Sequence, residues 1–182
     1  MREISLDTSL SSNGEEMTGT EFQLRFYTGK QAAALGPELW AALDERRQRT
    51  MFWDAQPEQK QAMLSHDLAK ADVVGVATQG GAVLAYAWVG TVIPKSRVGH
   101  GHFAFTGEVI DEVSTEFWAG IKSMGIYDSV IAIQPLAYRG AREHAIKHGF
   151  NVLGNIPGLI VFANRPRPAT GVILVKDMRG DG

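Results

Sequence analysis

The amino-acid sequence predicts one α/β domain built on a mixed sheet, an α+β arrangement. The chain has 182 residues, 45% of them hydrophobic and 21% charged, which suits a globular protein with one sizeable core. The apolar spacing changes between strand and helix periods along the chain and gives the order β-α-α-β-β-β-α-β-α-β-β. Two strand–helix–strand units fall between residues 102 and 155, and they predict parallel neighbouring strands joined by right-handed crossovers.

The N-terminal half predicts a tail, a strand, two helices and a hairpin. Residues 1–20 show no hydrophobic period and are expected to form a disordered tail. Phe22, Leu24 and Phe26 then alternate with polar residues, as in a half-buried strand. The next elements are helices over 30–50, broken at Gly36-Pro37, and over 57–71, followed by strands over 72–79 and 82–94 that meet at Gln79-Gly80-Gly81.

The C-terminal half alternates strands with helices. The helix predicted over 109–125 has its apolar residues on a single face and a glycine at its end. The helix predicted over 137–149 has an apolar side made of alanines and Ile146. In order, the elements are a strand over 102–108, a helix from Val109 to Gly125, a strand over 127–135, a helix over 137–149, and one or two strands within 151–178. We therefore assign residues 21–176 to one domain and 177–182 to a tail.

Composition excludes several classes of function. The formal net charge is -2, which gives no general affinity for nucleic acid or for an anionic membrane. No apolar run is long enough to span a bilayer, and the first residues lack the apolar region of a secretion signal. The chain has no cysteine, so disulfides, thiolate metal sites and a cysteine nucleophile are excluded, and a cytoplasmic location is expected.

The stretch SRVGHGHFAFTGEV, residues 96–109, combines histidines with glycines and invites three interpretations. Gly99, Gly101 and Ala104 match the spacing of a dinucleotide loop, but that loop must open a helix, and here a strand follows. His100 and His102 point to one face of a strand and form a usable pair of metal ligands. No third ligand is nearby, so we predict no metal site and favour the third interpretation, the entry to a strand.

The segment VIAIQPLAYRGAREHAIKHGFNVLGNIPG, residues 130–158, resembles the end of the GNAT superfamily of acyl-CoA-dependent N-acyltransferases. The similarity lies in a buried strand, a helix with the small residue Ala141 in its middle, a helix end at Gly149-Phe150, and a strand running on to Gly154. Among GNAT proteins, the segment is most similar to those of bacteriophages and prophages. The element order matches the superfamily from about residue 21 to residue 176.

The resemblance implies acetyl-CoA as cosubstrate, held between two parallel strands that splay apart. Its pyrophosphate is expected on the loop Phe105–Ile110, and the implied cofactor-binding residues are Phe105, Thr106, Gly107, Val109 and Arg139. The loop lacks the arginine or glutamine with which the GNAT pattern begins. Glu108, Asp111 and Glu112 also occupy the N-terminus of the following helix, where each would oppose an anion by about 0.3–1 kcal/mol.

Acetyl transfer to an amine needs a main-chain N–H at the thioester carbonyl, a base for the ammonium proton and an acid for the thiolate. The resemblance places the N–H near Phe105 or Thr106. The base candidates are His102 and Glu108. The helix tyrosine that serves many GNAT enzymes as acid is replaced by Ala145, which leaves Tyr138 as the acid candidate.

Two further pairs of residues have a structural and a functional interpretation. His144 and His148, four apart on the last helix, are expected to form a pair on its solvent face. Phe52 and Trp53 lie where the resemblance implies an acceptor site, and they equally suit an anchor for a long loop.

We therefore predict a GNAT-family N-acetyltransferase that moves an acyl group from acetyl-CoA to a small-molecule or protein amine of unknown identity. A homodimer is the assembly compatible with this prediction. The alternative is a degenerate phage or prophage protein of the same fold that has lost catalysis and acts as an interaction or virion-associated module. An opening between the strands near residues 102–107 and 128–134 favours the enzyme, and a closed sheet there favours the alternative.

Overall fold

The computed structural model describes residues 22–179, and the predicted tail over residues 1–20 lies outside them. Seven strands and six α-helices make up this part of the chain. The strands are β1 Gln23–Tyr27, β2 Val73–Gln79, β3 Ala82–Thr91, β4 Val98–Phe105, β5 Ser129–Pro135, β6 Asn151–Ile160 and β7 Ala169–Asp177. The helices are α1 Gly29–Ala34, α2 Gly36–Ala41, α3 Glu45–Thr50, α4 Lys60–Lys70, α5 Asp111–Ser123 and α6 Arg139–Lys147.

The strands form one sheet in the order β1-β2-β3-β4-β5-β7-β6, which confirms the predicted mixed α/β class. From β1 to β4 each strand is antiparallel to its neighbour, and β4 and β5 are parallel. The predicted parallel neighbours are therefore right for β4 and β5. They are wrong for β5 and β6, because β7 turns back from β6 and inserts between them, antiparallel to both.

The two faces of the sheet carry separate cores, because successive strand residues point to opposite sides. On one face, Tyr86 and Trp88 of β3 pack with buried leucines of α2 and α4. On the other, Ala87 and Val89 pack with Phe117 and neighbouring residues of α5. The sheet is thus covered on both sides. No helix within residues 22–179 is long and apolar enough to cross a membrane.

Two helix predictions need correction. The predicted break at Gly36-Pro37 is confirmed, because α2 begins there, but the second half of the segment is divided once more, since the N-cap Asp44 starts α3. In α6, Ile146 is exposed rather than core-facing, and Ala145 packs against the core instead. The predicted helix after β4 is confirmed, with Gly125 at its end in the left-handed conformation, φ 63°. At the C-terminus, β7 runs to Asp177 and Met178 is buried.

Gly99 and Gly101 are part of β4, and their lack of a side chain lets α5 and the segment before β5 approach the sheet. A Cβ atom at Gly99 would lie 2.5 Å from Cγ1 of Val89, and one at Gly101 would lie 2.9 Å from Cγ1 of Val130 and 3.1 Å from the Trp118 ring. The glycine spacing that imitates a nucleotide loop therefore serves packing within a strand.

A hydrogen-bond cluster ties the start of β5 to β2 and β3. The Tyr127 hydroxyl donates to Oδ2 of Asp72 at 2.7 Å, and the same carboxylate accepts from the main-chain N–H and the hydroxyl of Thr91. Partial burial raises the pKa of Asp72, but these hydrogen bonds outweigh it and hold that pKa below its usual range. The cluster therefore stabilises the fold while Asp72 is ionised.

We expect Tyr127→Phe to lower the free energy of unfolding by about 1–2 kcal/mol at pH 7, because it removes one hydrogen bond to a carboxylate. Urea denaturation measures this loss. The difference from wild type should be complete above the unfolded carboxyl pKa of about 3.9 and should shrink as the pH falls through the lower folded value. Tyr27→Phe is the matched control, since the Tyr27 hydroxyl has no hydrogen-bond partner among residues 22–179. An equal loss in both variants would contradict the prediction.

Candidate functional site

Strands β4 and β5 part from one another after a short paired stretch. They pair at Val98↔Ser129, Gly99↔Val130 and His100↔Ile131, and no pair follows in the described part of the chain. Each strand runs on for several residues beyond this point, so an opening forms between their C-terminal halves. Strands β4 and β5 therefore splay apart, which is the arrangement that favours the enzyme over the non-catalytic alternative.

Main-chain groups of both strands face this opening. The N–H of Thr106 donates to the carbonyl of Leu84 in β3 at 2.9 Å. In an antiparallel pair the direction alternates, so Phe103 and Phe105 direct their N–H and C=O away from β3 and toward the opening. On β5, the N–H of Leu136 donates to Thr170 of β7, so by the same alternation Ile133 faces the opening.

This alternation corrects one prediction. Of the two residues expected to polarise a carbonyl, the N–H of Thr106 is already used in the sheet, and only Phe105 has an N–H directed at the opening. Gln134, in the splayed half of β5, has a buried Nε2 with no hydrogen-bond partner among residues 22–179. An unpaired buried amide is costly, so this nitrogen is a donor suited to a polar ligand.

The loop after β4 is held by a residue that sequence reasoning missed. Arg47 of α3 donates a hydrogen bond to the carbonyl of Gly107 and another to Asp44. Gly107, Glu108 and Val109 are exposed, and Glu108 has no hydrogen bond or ion pair with the described residues. The contact joins positions 60 apart in the chain, and no local pattern in the sequence signals it.

A cluster of Asp111, His144, Lys147 and His148 lies at the N-terminus of α5. Asp111 accepts hydrogen bonds from Lys147 and from Nε2 of His148, the latter at 3.1 Å. These bonds hold the pKa of Asp111 below its usual range, while burial lowers the pKa of His144. The solvent-face prediction for the histidine pair is wrong: the His148 side chain is 7% exposed, because α6 turns this face toward α5.

His102 lies on the opposite face of the sheet, away from this cluster. Its ring stacks on Trp88 at 4.7 Å between centroids and lies 4.4 Å from the ring of His100. Burial, with a smaller contribution from His100, lowers the pKa of His102 to about 3. A base this weak accepts few protons at neutral pH, which disfavours a proton-transfer role.

Comparison with known proteins was made on sequence and on structure. No protein-family model and no curated protein sequence matches the chain. An acetyltransferase of the GNAT family from Streptococcus pneumoniae superposes with a TM-score of 0.61, covers 88% of this chain and 100% of its own, and is 15% identical. This chain has the GNAT fold. An N-acetyltransferase from Staphylococcus aureus Mu50 gives a TM-score of 0.63 at 14% identity, covering 87% of this chain and 98% of its own. YncA of Salmonella typhimurium, solved with its cofactor acetyl-CoA, gives 0.62 at 12% identity, covering 89% and 96%.

The GNAT fold places Tyr138 and Arg139 at the start of α6, beyond the splayed end of β5. Tyr138 is half-buried, and that burial raises the pKa of its phenol above the usual value, which keeps it protonated at neutral pH. Arg139 is exposed and pairs with Glu143 at 2.7 Å. Ala145, where many GNAT enzymes carry a tyrosine, packs against the core.

Phe52 and Trp53 border the face of the GNAT fold on which His102 lies. The ring of Phe52 is 6.3 Å from that of Trp88, and the carbonyl of Trp53 accepts a hydrogen bond from the N–H of Ala163 at 2.9 Å. These contacts anchor the loop between α3 and α4 to β3 and to the segment after β6. These contacts support the interpretation of Phe52 and Trp53 as an anchor for the loop.

Proposed function

We propose that this chain binds acetyl-CoA in the opening between β4 and β5 and transfers its acetyl group to an amine. The observation that carries the proposal is the splay, which leaves main-chain groups of two adjacent parallel strands without partners among residues 22–179. A pantetheine arm has two amide groups, and amides pair with such strand edges. The acetyl-CoA bound to YncA, a protein of the same fold, supports this choice of cosubstrate.

The residues at the opening fit such an arm. Phe105 offers an N–H on the β4 side, and Gln134 offers a buried amide nitrogen that has no partner within residues 22–179. A ligand amide that accepts from Gln134 would remove the cost of leaving this donor unpaired. The arm would lie beside the aromatic ring of Phe105, which makes an edge contact with His144 at 5.4 Å between centroids.

We assign the diphosphate to the loop after β4 and the start of α6. Gly107 and Val109 are exposed in that loop, and the guanidinium of Arg47 contacts the carbonyl of Gly107. Arg139 is a second cation, exposed and able to exchange Glu143 for a phosphate. These two arginines offset part of the repulsion from the carboxylates at the α5 N-terminus.

In the proposed reaction the amine nitrogen attacks the carbonyl carbon of the thioester, and the carbon–sulfur bond breaks. The N–H of Phe105 donates to the carbonyl oxygen as negative charge grows on it. Tyr138 donates its proton to the departing thiolate, because its phenol stays protonated at neutral pH. The ammonium proton passes to Glu108, since His102, with a pKa of about 3, is too weak a base.

A second candidate function is a GNAT-fold protein that binds another protein without catalysis, in a phage particle or host complex. The observation that favours it is the sheet edge at β6, where Val152, Leu153 and Ile156 are exposed, Leu153 by 65%. An edge strand with apolar side chains is a template for association. This chain also lacks the arginine or glutamine that begins the GNAT phosphate loop, and Ala145 stands where many GNAT enzymes have a tyrosine.

Acetyl-CoA binding distinguishes the two candidates. At a concentration 100 times the dissociation constant, acetyl-CoA should stabilise the chain by about 2.7 kcal/mol, which for a domain of this size raises the melting temperature by roughly 5–10 °C. Calorimetry should give one site per chain. Adenosine 3′,5′-bisphosphate, which lacks the pantetheine arm, is the control ligand and should bind more weakly.

A negative result has a clear meaning in this experiment. No heat of binding and no stabilisation at millimolar acetyl-CoA, from a protein that melts cooperatively, would overturn the enzyme proposal. The binding-module candidate then remains. Once acetyl-CoA binding is established, product formation with a panel of polyamines, amino acids and peptide N-termini identifies the class of amine.

A further inference from the structure

Three side chains at the junction of α5 and α6 present metal-ligand atoms to one another. Asp111 is the first residue of α5, and His144 and His148 lie one turn apart on α6. One atom of each residue, a carboxylate oxygen or a ring nitrogen, lies within 4.8 Å of the other two. Two histidines four residues apart on one helix and a carboxylate from another helix together form a set of ligands that zinc favours.

The spacing of these atoms approaches that of a tetrahedral site. Metal–ligand bonds of about 2.0–2.2 Å at tetrahedral angles place ligand atoms about 3.3 Å apart. Oδ1 of Asp111 lies 3.1 Å from Nε2 of His148 and 3.6 Å from Nδ1 of His144. Both distances from Asp111 are therefore close to those of a tetrahedral site.

The second nitrogen of one ligand already has a partner. Nε2 of His144 lies 2.8 Å from Oγ of Ser114, a fully buried residue of α5. With the Nε2 proton donated to this hydroxyl, the lone pair of Nδ1 faces Asp111, as in metal sites where an outer partner orients the ring. Rings of Phe103 and Phe105 also contact the His144 ring and hold its position.

We propose that Asp111, His144 and His148 bind a divalent transition-metal ion, zinc in the first place, through Oδ1, Nδ1 and Nε2. The fourth position is left for water or another oxygen ligand. The ion clamps the N-terminus of α5 to the C-terminal turn of α6. This site lies next to the loop assigned to the diphosphate, and His144 contacts the ring of Phe105. The zinc proposal does not depend on acetyl-CoA binding.

Two neighbouring ammonium groups oppose the ion, those of Lys147 and Lys176, and Nζ of Lys176 donates to the carbonyl of His148 at 2.6 Å. Lys147 contacts Oδ2 of Asp111, but its side chain is 62% exposed and can turn to solvent. A groove between α5 and α6, about 320 Å³ in volume, reaches His148 and is also lined by Lys122, Lys147 and Lys176. Lys147 therefore competes with the metal for Asp111, and the lysines of the groove reduce the attraction of the site for a cation.

The test uses full-length, tag-free protein that has been stripped with a chelator and titrated with zinc by calorimetry. Wild type should bind one zinc per chain, and cobalt in its place should give the intense visible absorption of a tetrahedral site. His144→Gln and His148→Gln should lose stoichiometric binding. Ser114→Ala should weaken it by about 10–100-fold. Lys147→Ala should bind more tightly, because the competing ammonium is removed.

His66→Ala is the matched control, since His66 is exposed on α4 and remote in sequence from the cluster. It should bind zinc like wild type. Zinc should raise the melting temperature of wild type and of this control, and leave that of His148→Gln unchanged. Glutamine keeps a polar side chain at the partly buried positions, and far-UV circular dichroism checks that each variant folds. Wild type without stoichiometric zinc, or a folded His144→Gln/His148→Gln double variant that keeps wild-type affinity, would refute the proposal.

Discussion

Phe117→Ala should lower the free energy of unfolding by about 3–5 kcal/mol, the loss expected when a buried aromatic side chain is removed from a core. Phe117 is 1% exposed and lies between α5 and the sheet. Its ring stacks on Phe26 at 5.9 Å between centroids and meets Phe103 edge-on at 5.4 Å. Urea denaturation of the variant, with Phe117→Leu as the conservative comparison, measures the effect.

A substitution at Gly75, which faces the ring of Phe117 from β2, tests the same packing. A Cβ atom at Gly75 of β2 would lie 2.6 Å from Cδ2 of Phe117, so Gly75→Ala should destabilise the wild type by overpacking. In the Phe117→Ala background the new methyl group enters the vacated space, and its cost should disappear. The two substitutions are therefore expected to be strongly non-additive. Additive effects would mean that the ring of Phe117 does not fill this space.

Phe105→Pro should lower the rate of acetyl transfer by about 10²–10³-fold, the loss seen when one donor to a developing oxyanion is removed. Proline lacks the N–H that faces the opening. It breaks no bond to β3, because Phe105 directs its main-chain groups away from that strand. The stability of the sheet should therefore change much less than the rate.

Phe105→Ala is the control for the aromatic ring, since alanine removes the side chain and keeps the N–H. Steady-state kinetics of both variants should show a loss of kcat in the proline variant that far exceeds the loss in the alanine variant. If both variants lose the same activity, the ring of Phe105 matters and its N–H does not. The N–H would then have no role in polarising the carbonyl.

The elements of this fold follow closely from local patterns. The helix after β4 is predicted from apolar residues at Val113, Phe117 and Ile121, and these three are buried on its inner face. The left-handed glycines Gly125 and Gly149 end the helices where the sequence predicts. Local period and helix-ending chemistry decide such features, and both are present within a dozen residues.

The order of strands in the sheet depends on contacts that no local pattern contains. Residues 151–160 and 169–177 can return to the sheet as a crossover or as a hairpin, and both topologies have the same apolar periods. The hairpin forms, and β7 pairs with β5 over seven positions, from Ser129↔Asp177 to Pro135↔Gly171. The sequence therefore predicted β5 and β6 to be parallel neighbours, whereas β7 lies between them.

The candidate site likewise has features that the sequence predicts and contacts that it does not. The splay of β4 and β5 and the position of the loop after β4 follow from the resemblance in residues 130–158. The partners of individual side chains do not: Arg47 reaches Gly107, and Asp111 reaches His148, 37 positions further along the chain. A polar pair on a helix predicts a solvent face, and only the packing of α6 against α5 turns His144 and His148 inward.

The parting of β4 from β5 also has a mechanical consequence. Three residue pairs join β1–β4 to the block of β5, β7 and β6 within the described part of the sheet, so few main-chain hydrogen bonds hold its two halves together. Side chains of α5 pack against both halves: Phe117 stacks on Phe26 of β1, and Trp118 shares a core cluster with Val130 of β5. We therefore expect substitutions of these α5 side chains to change the gap between β4 and β5 without removing a hydrogen bond between strands.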